Sequence, residues 1–206
     1  MQKTSELCIS SVEESLIEAL DIADGFIKRQ NIDRKKAIRL RLLVEETIGL
    51  VRMMTGDFKA QFWIENEDDE YRIRLNATTN MNIDKKDRLL SLSTSGKNSA
   101  VTGFMSKIAD IIDTGFLNYN DIMKDQQKYS DGYFVGYGMI NETPVIGEPF
   151  VWSLKNYKTS LETVTEEDDH SKEAWDELER SIVASIANDV IVGVKKDSVD
   201  LTIIYK

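Results

Sequence analysis

The longest helical pattern in the chain runs from Asp33 to Gly56, DRKKAIRLRLLVEETIGLVRMMTG. At roughly 100° per residue, Ala37, Leu40, Val44, Ile48, Val51 and Met54 share one face, while Ile38, Leu42, Gly49 and Met53 share a second. Asp33 is placed to cap this helix and Gly56 to end it. Apolar residues on two sides predict a buried helix. Glu45 and Glu46, lying between those residues, should then line a wet cavity or reach a basic side chain.

The same patterns divide the rest of the chain. Residues 4–9 read as a strand, with Cys8 inside it as a packed core thiol; Ser10 or Ser11 then caps a helix whose stripe is Val12, Leu16, Leu20, Ala23 and Ile27. Phe58, Ala60, Phe62 and Ile64 alternate with polar residues, the acidic turn ENEDDE follows, and Tyr71, Ile73, Leu75 and Ala77 alternate again, which predicts a β-hairpin. Thr78 to Asn98 has no period and reads as a long polar loop. Val101, Met105, Ile108 and Ile112 then form a helical stripe closing near Gly115. Asn118 to Gly147 is irregular, with a strand at Tyr133 to Ile140. Phe150, Trp152 and Leu154 alternate as a strand; Trp175, Leu178, Ile182, Ile186 and Val190 make one helix; and Ile191 to Tyr205 closes as a hairpin. Antiparallel hairpins mixed with helices imply an α+β fold, a two-layer sandwich with helices on one face of a mixed or antiparallel sheet. Residues 1–206 read as a single domain.

Composition narrows the function. With 26 Lys and Arg against 36 Asp and Glu, the net charge is −10, and no basic run of nucleic-acid type appears, so DNA and RNA are poor partners. No apolar run is long enough to span a bilayer, and MQKTSELCIS lacks the basic start and apolar stretch of a signal peptide, which together point to the cytoplasm and away from a membrane. One cysteine rules out an internal disulfide. The single histidine, His170, reads as a solvated loop residue, so no histidine-based metal site is expected.

Two stretches have the makings of chemistry: the acidic pair on the central helix and the turn STSGKNS before the helix at Ser99. The turn is not a phosphate loop, since that motif needs glycine at position 91, which is Ser. Free backbone N–H groups at Gly96, Lys97, Asn98 and Ser99 would still suit an anion, with Lys97 adding charge; a plain helix cap accounts for them as well.

In order, strand, helix, long helix with VEETIG, hairpin, polar loop and SGKNSAVTGFMSKIADII resemble the GHKL (Bergerat-fold) ATPase domain, most closely the anti-sigma serine kinases. The likeness covers residues 1–115, with 116–206 as an extension that completes or enlarges the sandwich. In that family the long helix carries a glutamate as general base and, four residues on, an asparagine that holds Mg²⁺. Glu45 matches the base, but position 49 is Gly. The family's adenine-binding Asp with two following glycines has no counterpart in LNATTNMNID, where Asn76, Asn80 or Asp84 offers an acceptor. Gly96 and Gly103 match the glycines of the family's lid. The resemblance thus implies a degenerate GHKL-type regulator that works mainly by binding a partner protein, with nucleotide binding weak or lost. The alternative it implies is an ATP-binding serine kinase using ATP with Mg²⁺ and Glu45 as base. Tyr129, Tyr133 and Tyr137 in the C-terminal half are candidate interface residues, or ordinary half-buried strand residues, and a homodimer fits the same reading.

Overall fold

The computed structural model describes residues 1–10, 12–53, 58–79, 108, 111–112, 150–163, 169–195 and 198–206. Its elements are β1 (Gln2–Lys3), β2 (Leu7–Ile9), α1 (Glu13–Arg29), α2 (Arg34–Met53), β3 (Phe58–Glu67), β4 (Glu70–Thr79), β5 (Phe150–Ser153), α3 (Leu154–Thr163), α4 (Asp169–Arg180), α5 (Ile182–Ile186), β6 (Asp189–Lys195) and β7 (Ser198–Tyr205). The strands form one seven-stranded sheet in the order β1, β3, β4, β7, β6, β5, with β2 also paired to β3. Every pairing is antiparallel. The fold is α+β, as expected.

Register explains why one face of this sheet is dry. Phe62, Leu75, Leu201, Val192 and Trp152 stand opposite one another across five strands, and Ile64, Ile73, Ile203 and Val190 form the next row. Side chains alternate between faces, so these rows point the same way and all are buried. Helix α1 packs on β2 and β3, α2 on β4, and α3 on β5 and β6. Ile108 and Ile112 of the stripe read from the sequence join the same core, while Val101 and Met105 lie outside the described residues.

Local chemistry fixes the helix ends. Asn31 takes a left-handed conformation (φ 51°) just past α1, where a short polar side chain tolerates it. Asp33 caps α2 as expected, accepting from the backbone N–H of Lys35 at 2.9 Å and of Lys36 at 3.0 Å. These bonds, that of Lys36 first, hold its carboxyl below the usual range. The hairpin β3–β4 turns on Asp68 and Asp69, both at positive φ, as a two-residue loop matched to strand twist requires.

Several expectations are corrected. Of the strand expected at residues 4–9 only Leu7–Ile9 is strand, as β2, and a separate short strand, β1, precedes it; between them the Thr4 hydroxyl accepts the N–H of Ile64 at 3.0 Å. The N-cap of α1 is Val12, with no side-chain cap, and Ser15 bonds back to the carbonyls of Ser10 and Val12. Cys8 is exposed, since β2 alternates and buries Ile9 instead. Leu154 begins α3, not a strand: Ser153 Oγ accepts from the N–H of Asn156, and Asp189 accepts from the N–H of Lys155 at 3.0 Å. The helix read as continuous from Trp175 breaks at Ser181, whose hydroxyl caps α5 through Ala184 N–H at 3.1 Å, and Val190 belongs to β6. His170 lies within α4 and not in a loop. Over its described residues the central helix is buried on one face only.

Candidate functional site

Leu40, Leu43, Val44, Thr47, Ile48 and Leu50 of α2 are all 0 to 2% exposed and face the sheet. Thr47 fits this apolar surface because its hydroxyl donates to the carbonyl of Leu43 at 2.8 Å. Among the described residues the second stripe meets no such cover. Ile38 is 50% exposed, Leu42 and Gly49 are half-buried, and a Cβ on Gly49 would meet nothing within 4 Å among the described residues.

Glu45 sits on this outward side. Of the two fates open to the acidic pair, it takes the basic partner: Arg41 Nη1 lies 2.7 Å from Glu45 Oε1, and Arg41 Nε reaches Asp24 of α1 at 2.5 Å. Arg41 thereby bridges the two long helices at their solvent edge. The side chain of Glu45 is 47% exposed, so this is a surface network in high dielectric. Glu46 is half-buried beside it.

The other candidates part company with Glu45. Asn76 alternates with the buried Leu75 and Ala77, so it points to the sheet face opposite the helices, where its amide donates to Asp200. It cannot meet a ligand held against α2. Asn80, Asp84, Gly96, Lys97, Asn98, Ser99 and Gly103 lie outside the described residues, as do Tyr129, Tyr133 and Tyr137. Among the described residues, no group of three His, Cys, Asp or Glu side chains is placed to hold a metal ion. No described helix is long and apolar enough to cross a membrane. A cleft of about 350 Å³ opens between α1 and the link joining β1 to β2, lined by Thr4, Ser5, Glu18, Asp21 and Arg29 among others. None of the residues singled out from the sequence lines it.

A feature missed in the sequence gathers at the corner between α1 and α2. Residues 28–41, KRQNIDRKKAIRLR, hold seven basic residues and one acidic residue, and that acid, Asp33, is spent on the cap. Lys28, Arg29, Arg34, Lys35 and Arg39 are exposed, with no ion pair among the described residues. Lys36 instead leans over the Tyr71 ring, 5.7 Å from its centroid. A search for unbroken basic runs passes over this stretch; a count of charge within a window finds it.

No family model, no curated protein and no solved structure matches the chain.

Proposed function

We propose that the chain is a GHKL-derived regulatory protein that acts by binding a partner protein and has lost phosphoryl transfer. The ion pair between Glu45 and Arg41 carries this reading. A general base must reach a substrate proton with a free oxygen; here one carboxylate oxygen is engaged by a guanidinium on the same helix surface. Four residues on, where the family holds Mg²⁺ through an asparagine, Gly49 supplies no oxygen. A GHKL scaffold without those two groups retains its sandwich and its surface, and a surface is enough for a binding module in the cytoplasm.

Thermal denaturation with and without millimolar Mg-ATP tests the reading. A ligand held only by the folded chain raises its melting temperature, by about 2.7 kcal/mol of stability at a hundredfold excess over Kd. The melting temperature should stay unchanged. A rise that grows with nucleotide concentration restores the kinase alternative.

A further inference from the structure

We infer that the outward side of α2 at its N-terminal half docks an acidic segment of a partner protein, one carrying apolar side chains between its carboxylates. This rests on the partner-binding reading and names the chemistry of the partner. Three observations meet at one place. Ile38 is 50% exposed, among the most exposed large hydrophobic residues of the described chain, and Leu42 continues its stripe one turn on. Around it stand Arg34, Lys35 and Arg39, exposed and with no ion pair among the described residues, with Lys28 across the short turn from α1; Arg29 instead folds back over Gly25 into the cleft of Glu18 and Asp21. These four cations have no ion pair among the described residues, in a chain with 36 acidic and 26 basic residues. Carboxylates to neutralise them are plentiful, and like charges crowded at one corner repel one another, so the corner costs stability in the free protein.

An acidic, partly apolar peptide offsets both defects at once, covering Ile38 and Leu42 while its carboxylates meet the rim of cations. A nucleic acid fits less well. The patch is short, and its centre is aliphatic where bases stack on aromatic rings.

The test uses a fluorescein-labelled synthetic peptide of Glu residues with Leu at helical i, i+3 and i+4 positions, titrated with the whole chain at low and high salt and read by anisotropy. Saturable binding should weaken as salt rises. The triple variant R34E/K35E/R39E should lower affinity at least about tenfold, and Ile38→Ser by several-fold. Circular dichroism of both variants should match the parent, because the changed side chains are exposed. Three outcomes overturn the inference: no saturable binding by the parent; equal affinity for parent and triple variant; or an oligothymidine that displaces the peptide and binds more tightly through the same residues. In each case the partner-binding reading itself stands, since only nucleotide-dependent stabilisation sinks that.

Discussion

Two faces of one helix carry comparable apolar stripes and end in opposite surroundings. On α2 the face of Leu40, Leu43, Val44 and Ile48 is sealed against the sheet, whereas the face of Ile38, Leu42 and Gly49 turns outward beside Arg34, Lys35 and Glu45. Apolar content alone cannot tell them apart. Their flanks can: the sealed stripe is bordered by Thr47, which satisfies its own hydroxyl, while the outward stripe is bordered by ionised side chains that must stay hydrated. The difference teaches that a second stripe on a helix with charged shoulders stays at the surface and is not a second core face.

Substitutions on the two faces should therefore differ widely. Leu43→Ala, at a position with no exposure, should cost about 2–5 kcal/mol in chemical denaturation, through lost burial and the cavity left behind. That is a large part of the stability of an ordinary domain. A cost near zero would place Leu43 outside the core.

Three groups of the helix cap and of β4 also report through pH. Asp33 has its carboxyl lowered by the N–H groups of Lys36 and Lys35, and Glu70 by hydrogen bonds from Lys206 and then Arg72. Both are depressed in the folded chain, so their contribution is complete above the ordinary carboxylate range of about 4 and disappears as pH falls through the folded values. Tyr71, raised by burial and then by the Asp69 charge, acts in the opposite sense. Its contribution is complete below the unfolded value of about 10 and is lost as pH rises through the folded one. Melting temperature against pH should fall at both ends. Asp33→Ala should flatten the acid side and lower the melting temperature at neutral pH by a few degrees. An acid limb identical in parent and variant would remove Asp33 from it.

Smaller effects belong to the outer edge. Arg41→Ala removes both the Asp24 and Glu45 contacts, yet these are exposed pairs, and about 0–1 kcal/mol is expected, shrinking as salt is added. A loss above about 2 kcal/mol would mean that the network holds α1 and α2 together. Ile38→Ser should change stability by no more than about 0.5 kcal/mol. A larger loss would mean that Ile38 packs in the free protein and would erase the contrast between the two faces.

Much of the sandwich was legible from local rules. The β3–β4 hairpin, the β6–β7 hairpin, the Asp33 cap and the buried stripe of α2 follow from alternation, helical period and capping chemistry. What escaped depended on residues distant in sequence. Helix α3 starts where it does because Asp189, from another strand, accepts Lys155 N–H beside the Ser153 cap. Nothing local to LKNYKTSLET announces that partner. The break at Ser181 hid behind an apolar period that runs through it, and a serine in mid-pattern was the available signal. At the candidate site, the sequence allowed Glu45 either a wet cavity or a basic partner. Arg41, one turn earlier at the i−4 position, was the visible clue that the structure bears out. Asp24 came only with the docking of α1.

The central claim is that the carboxylate side of α2 meets a protein and not a nucleotide. Backbone amide chemical-shift mapping during titration with Mg-ATP tests it most directly. No saturable shift is expected anywhere along Arg34–Met53. Saturable shifts centred on Glu45 and Gly49 would contradict the account and return that helix to nucleotide chemistry.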